Sequence, residues 1–210
     1  MKYTHIIWDF NGTIFDDVDI GIESVNVLLA ARRMPLIPSR EYYRSVHSFP
    51  VIDYYRRIGF DFSKESFDDI AVEWVEEYLS RVPKAGVHDE AIEMLLHVKH
   101  LGLNQILLSA TEIQMLRGQV KDLGIEHYFD EICGMDNIYA HGKKSLAERW
   151  RGEHPGARAL LIGDTDHDFE VACVMGADCI LFAGGHQARK QFESLDCPVV
   201  ESLLDVKSYL

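Results

Sequence analysis

The stretch that most constrains this chain is residues 4–17, THIIWDFNGTIFDD, in which an apolar run, Ile6-Ile7-Trp8, ends on a carboxylate, Asp9. Phe10, Asn11, the small pair Gly12-Thr13, a second apolar pair and two further acids, Asp16 and Asp17, follow. An apolar run bounded by acid and glycine reads as a short interior strand of a parallel sheet. Side chains alternate along a strand, so Asp9 and Asn11 share one side and Phe10 points to the other. An acid at the carboxyl end of such a strand stands where open α/β sheets form their ligand crevices. Asn-Gly between two apolar runs is also the strongest short hairpin signal, and this stretch alone leaves that reading open.

The order of elements narrows the choice. Residues 17–34 carry Ile20, Val25, Leu28 and Leu29 at near-helical spacing, and Pro35 and Pro38 end that pattern. Residues 39–59 read as two short helices split at Pro50, and residues 63–82 as a long acidic amphipathic helix with Phe67, Ile70, Val75 and Leu79 on one face. The span 17–82 is therefore helical without a clear strand, which marks it as a module inserted after the first strand. From Pro83 onward strands and helices alternate. Helices at 88–101, 111–123, 143–151 and 166–176 separate apolar strands at QILLSA (105–110), within YFDEICGM, at ARALLIGD (157–164) and at DCILFA (178–183). Thr111 three residues before Gln114 has capping-box spacing, and a short strand PVV (198–200) precedes a closing helix. This alternation implies an α/β fold, a parallel sheet wrapped by helices on both faces.

The 210 residues carry a formal net charge of −13, which argues against a nucleic-acid partner and against an anionic membrane surface. It leaves phosphorylated substrates open, because a metal and one or two lysines can reverse the local field. No apolar run approaches 18 residues, and Met1-Lys2-Tyr3-Thr4 leads straight into the first strand, so neither a membrane span nor a signal peptide is expected. The four cysteines, Cys133, Cys173, Cys179 and Cys197, have no Cys-x-x-Cys spacing and read as reduced, mostly buried thiols of a cytoplasmic protein, not as a zinc site.

Three further pieces of chemistry follow the opening strand. Ser109 ends an apolar strand beside a helix start, where a hydroxyl can hold a phosphate oxygen or simply cap the helix. Lys143 and Lys144 follow Gly142 at a helix start, a position unfavourable against the helix dipole, which hints at another task for one of them; solvated surface lysines are the alternative. LLIGDTDHD places Gly163 and Asp164 at the end of a buried strand, with Asp166 and Asp168 close behind. Acids at a helix start suit the dipole, but three carboxylates in five positions repel one another unless a cation lies among them, and oxygen ligands of this kind suit Mg2+.

Together the four pieces resemble the haloacid dehalogenase-like hydrolase superfamily, with DFNGT (9–13), LLSAT (107–111), GKK (142–144) and GDTDHD (163–168) in the family's order. LFAGGHQ (181–187) and FPVIDYYRRIGF (49–60) look like its phosphoglycolate-phosphatase-like branch. The resemblance implies a Rossmann-like core of residues 1–16 and 83–210 with a first-type helical cap at 17–82. It further implies a Mg2+-dependent phosphatase acting on a small phosphorylated metabolite, as a monomer or homodimer. Asp9 would be the nucleophile, forming an aspartyl phosphate. Mg2+ would be held by Asp9, the backbone carbonyl of Asn11, Asp164 and Asp168. Gly12, Thr13, Ser109 and Ala110 would line the phosphate site, with Lys143, or Lys144 in its place, offsetting the phosphoryl charge.

The departure is Asn11, where the family's phosphatases carry an aspartate as general acid/base. Asparagine cannot transfer a proton, a function worth about 10²–10⁴ in rate. Three readings follow: a substrate with a good leaving group, such as an acyl phosphate or pyrophosphate; a proton from elsewhere, with His47 and Tyr54 as candidates by location; or a catalytically impaired phosphate-binding module. Among other reactions of the superfamily, a phosphomutase would need the missing acid, and a metal-free dehalogenase would not need the acids at 164–168. Phosphonate cleavage would need a cap lysine, and nothing marks Lys64 or Lys84 for that role.

Overall fold

Ile6, Ile7 and Trp8 lose all contact with solvent because their strand forms the middle of a sheet. The structure is a computed structural model that describes residues 2–136 and 143–210, so the expectation for Gly142 lies outside the described residues. Its strands are β1 (His5–Trp8), β2 (Phe15–Asp16), β3 (Gly86–Val87), β4 (Asn104–Glu112), β5 (Glu131–Met135), β6 (Ala159–Gly163), β7 (Asp178–Phe182) and β8 (Val199–Val200). Six of them form a sheet of order β5-β4-β1-β6-β7-β8, parallel throughout, with Ile7 paired to Ile106 on one side and Leu161 on the other. Successive strands step to one side of β1 and then, from β6 onward, to the other. The ends of β1, β4 and β6 therefore converge on the switch point where α/β sheets open a crevice.

The helices are α1 (Val18–Ala31), α2 (Arg40–Val46), α3 (Val51–Arg57), α4 (Phe67–Arg81), α5 (Ala91–His100), α6 (Ile113–Asp122), α7 (Lys144–Glu153) and α8 (Asp166–Met175). The alternation of β1 sends Ile6 and Trp8 to a core formed with α5 and α6, and Ile7 to a second core formed with α7 and α8. Each such side chain contributes about 1.5–3 kcal/mol by burial, which fixes the register of the strand whose end carries Asp9. The helices α1 to α4 gather a third cluster of their own around Val25, Leu28, Leu29, Tyr55 and Ile70.

Several expectations are corrected. Asn11-Gly12 does sit in a tight turn, with the amides of Ile14 and Phe15 donating to the Phe10 carbonyl at 2.9 Å each, but no hairpin with β1 follows. Instead β2 leaves the turn to pair antiparallel with β3, a ribbon with no periodic signal because each strand is two residues long. Thr111 is not the cap of α6: β4 runs on to Glu112, whose carboxylate accepts the amides of Gln114 and Met115. On α4 the buried positions are Ile70, Ala71 and Tyr78, whereas Leu79 is 41% exposed. The closing helix is a 3-10 helix, Leu203–Tyr209. All four cysteines are free, but only Cys179 is buried, and Cys173 is exposed. Among the described residues no helix is long and apolar enough to cross a membrane.

Candidate active site

Four carboxylates are buried among the described residues, Asp9, Asp17, Asp164 and Asp168, and all four lie in one connected network at the carboxyl end of the sheet. Asp9 follows β1, Asp164 follows β6, and Asp168 stands in the first turn of α8. Lys143, at the start of α7 and 3% exposed, reaches between Asp9 Oδ1 at 2.5 Å and Asp168 Oδ1 at 2.6 Å.

The surrounding backbone holds each carboxylate in place. Asp168 Oδ2 accepts the amides of Asp164 and Thr165 and the Thr165 hydroxyl, and Thr165 closes a capping box at the start of α8. Asp164 accepts the Thr13 hydroxyl at 3.1 Å and the His186 amide at 2.6 Å. Gly12 has φ +76°, and a Cβ there would meet the Asp164 carboxylate and come within 2.5 Å of His186 Cδ2. Only glycine fits that close approach. Phe10 and Phe15 stack 5.2 Å apart beneath the turn and anchor it to the core.

The electrostatics of the cluster are unbalanced. Among the described residues four buried carboxylates face two buried cations, the Lys143 ammonium and the His186 imidazole, whose pKa is raised to about 9. Burial alone would lower the His186 value, but the Asp17 charge and hydrogen bond, with help from Asp164 and Asp9, overcome it. Burial and then Asp168 push Asp9 well up. Burial likewise raises Asp164. For Asp168 burial acts upward too, but Lys143 and Thr165 hold it below the ordinary carboxylate range. One oxygen each from Asp9, Asp164 and Asp168 lies within 4.8 Å of the others. Three oxygen donors this close, in a pocket short of positive charge, fit a hard divalent cation such as Mg2+.

Asn11 is built into a neighbouring network. Its Nδ2 donates to Asp17 Oδ2 at 2.8 Å and to the Tyr78 hydroxyl at 2.9 Å, and its Oδ1 accepts the Thr111 hydroxyl at 2.9 Å. Asp17 also accepts the Gly12 amide, the Tyr78 hydroxyl and His186 Nε2, and these partners keep it ionised despite its burial. His186 Nδ1 lies 2.8 Å from the Tyr43 hydroxyl, so one hydrogen-bonded chain runs from α2 to β4.

Above the carboxylates lies a cavity of about 200 Å³ walled by aromatic side chains from α2 to α4. Of the residues that the family resemblance assigns to catalysis, phosphate or metal, Asp9, Asn11, Ser109, Ala110 and Lys143 line it. Gly12 and Thr13 stand behind the carboxylates, the former with its amide engaged by Asp17 Oδ1 at 2.8 Å, and neither reaches the cavity wall. Ser109 lies at an irregularity of β4, between Leu108 and Glu112, and its hydroxyl is coupled to Thr111. Lys144 points away to Glu170 at 3.0 Å with its side chain 49% exposed, so Lys143 is the buried lysine. Asp166 also turns away, accepting from Gln187 Nε2. His47 and Tyr54 do line the cavity, but burial and the His186 charge hold His47 neutral, and burial raises the Tyr54 phenol.

Sequence reasoning gave no role to Asp17, Tyr78 or His186, and read Thr111 only as a helix cap. Their only signals were the acid pair closing the opening stretch and the GGHQ segment; nothing in a periodic helix pattern separates Tyr78 from a core tyrosine.

The sequence profile of the haloacid dehalogenase-like hydrolases matches residues 6–182. The chain belongs to that family and is a hydrolase with the fold of its phosphatases. Among solved structures it is similar to a haloacid dehalogenase-like hydrolase of Streptococcus pneumoniae, at 19% identity and TM-score 0.84, covering 99% of this chain and 98% of the other. It is similar to protein tyrosine kinase A of Mycobacterium tuberculosis at 20% identity and TM-score 0.81, covering 99% and 97%. It is also similar to a predicted phosphoglycolate phosphatase of Haemophilus somnus at 14% identity and TM-score 0.74, covering 100% and 98%. A search of curated proteins found no significant match.

Proposed function

We propose that the protein is a cytoplasmic Mg2+-dependent phosphatase of a small phosphorylated metabolite, with residues 1–16 and 83–210 as catalytic core and 17–82 as cap. The observation that carries this reading is the buried set Asp9, Asp164, Asp168 and Lys143 on the floor of a cavity at the switch point of the sheet. Asp9 Oδ attacks phosphorus, the leaving oxygen departs, and water hydrolyses the resulting aspartyl phosphate. Lys143 holds the Asp9 carboxylate in line and offsets charge on the phosphoryl oxygens. Asp9, Asp164, Asp168 and the Asn11 backbone carbonyl would hold Mg2+, which when bound neutralises the phosphoryl group and the acids around it. Ser109 would donate to a phosphoryl oxygen, its hydroxyl exchanging its present bond to Thr111 for one to substrate. The four free thiols support the cytoplasmic assignment.

The test is phosphate release from acetyl phosphate and phenyl phosphate with and without Mg2+, on the native protein and Asp9→Ala, with acid-quenched protein assayed for phosphate bound to Asp9. Metal-dependent release lost in Asp9→Ala, with label on Asp9, is the expected outcome. Release that persists in Asp9→Ala, or no release and no label from either donor, overturns it.

A further inference from the structure

Apart from Asp17, ionised at the foot of α1 and already paired with His186, the residues that α1 to α4 and their connections place on the cavity wall are uncharged; Tyr43, Phe49, Tyr54, Tyr55, Trp74 and Tyr78 form most of that surface. Among the described residues, the positive groups of this cavity are the Lys143 ammonium and the His186 ring, which both lie at the floor and are already engaged by Asp9, Asp168 and Asp17. At the β4 side the wall carries Glu112, an anion whose two oxygens cap α6. A substrate whose body bears a second carboxylate or phosphate would bury that charge against aromatic rings and an acid, with no unengaged cation among the described wall residues to meet it. Flat, neutral rings fit such a wall through edge and face contacts.

The leaving-group side of the site points the same way. The position that would supply a proton holds Asn11, whose amide is fixed by Asp17, Tyr78 and Thr111. A phenol ionises near pKa ~10, whereas water, at about 15.7, indicates how much poorer an alkoxide departs unprotonated. Two buried polar atoms of wall residues, the Tyr54 hydroxyl and His47 Nδ1, have no hydrogen-bond partner among the described residues, and neither brings a charge to the wall.

Resting on the phosphatase reading above, we infer that the substrate is a phosphate monoester of a neutral aryl alcohol, and not a doubly anionic metabolite such as a phosphorylated carboxylic acid, a bisphosphate or pyrophosphate. In the reaction the bond between phosphorus and the aryl oxygen breaks as Asp9 Oδ bonds to phosphorus, and the aryl oxide leaves with the electron pair and takes its proton from solvent. Water then adds to the aspartyl phosphate, giving phosphate, free Asp9 and one proton.

Two matched, non-hydrolysable ligands separate the possibilities. Benzylphosphonate replaces the bridging oxygen of phenyl phosphate by a methylene, and 3-phosphonopropionate does the same for phosphoglycolate. Calorimetry with Mg2+ is expected to give benzylphosphonate at least about tenfold tighter binding, and Val75→Arg, which adds a cation to the wall, is expected to reverse the order. Should that variant not fold, the native comparison decides alone. In turnover, phenyl phosphate is expected to exceed benzyl phosphate, its alkyl counterpart, by about a hundredfold or more in kcat/KM, which reports the step that breaks the ester bond.

Equal or tighter binding of 3-phosphonopropionate, with phosphoglycolate hydrolysed as well as phenyl phosphate, overturns the inference and leaves the phosphatase standing. Equal kcat/KM for phenyl and benzyl phosphate overturns the leaving-group part. Failure of both phosphonates to bind, with no label on Asp9 from acetyl phosphate, removes the phosphatase reading and the inference with it.

Discussion

The Asn11 amide nitrogen lies 2.8 Å from Asp17 Oδ2, so a residue unable to exchange protons is the donor that stabilises a buried carboxylate. Converting it to an acid sets two carboxylate oxygens at that distance, and the pair is then stable only if it shares a proton. Asn11→Asp is expected to lose about 1–3 kcal/mol of stability at pH 8, and less at pH 5, in denaturant titrations run at both values. As the pH falls the pair takes up a shared proton that becomes available to a leaving group, and the gap between phenyl and benzyl phosphate is expected to narrow. A variant as stable as the native protein at pH 8 would contradict this account of the network.

The neighbouring lysines are expected to behave differently. Lys143→Met leaves Asp9 and Asp168 uncompensated, and in chelator it should destabilise by about 3–5 kcal/mol. Lys144→Ala removes only a surface pair with Glu170 and should stay within about 1 kcal/mol of native. Chemical denaturation of the two variants side by side reads the contrast directly.

His186 sets the alkaline limit of stability. Its pKa is about 9 in the folded protein against about 6.5 when unfolded, so folding favours the imidazolium. The resulting stabilisation, roughly 3 kcal/mol, is fully present below pH 6.5 and is lost as pH rises through 9. Melting temperatures in chelator should fall over that window, and His186→Gln should flatten the fall. A native melting temperature constant from pH 6.5 to 9 is the contrary result.

Metal binding should be visible without substrate. If Asp9, Asp164 and Asp168 hold Mg2+, a concentration a hundred times the dissociation constant stabilises by about 2.7 kcal/mol. Thermal melts should rise with Mg2+ in the native protein and stay level in Asp164→Asn.

The sheet and its chemistry were legible because periodicity and strand-end acids are local signals: Ile6 to Asp9, Leu160 to Asp164 and the Gly176 stop each carry their meaning within ten residues. Gly176 indeed ends α8 at φ +66°. What escaped depends on contacts between distant segments. Tyr78 matters because α4 brings it to Asp17, sixty-one positions away, and His186 because its turn folds back over Gly12. The choice between Lys143 and Lys144 is one of helix phase at the first turn of α7, which a lysine pair cannot encode by itself. Leu79 misled because its spacing fits an apolar stripe, yet it is left 41% exposed.

The ribbon of β2 and β3 pairs Asp16 with Gly86, so the chain departs for the helices and returns from them at adjacent points. Sixty-nine residues lie between these two positions, yet the gap they span is one inter-strand spacing. A short turn could join Asp16 to Gly86 without moving any strand of the large sheet. What lies between can therefore be lengthened, exchanged or deleted while Asp9, Asp164, Asp168 and Lys143 beneath keep their places.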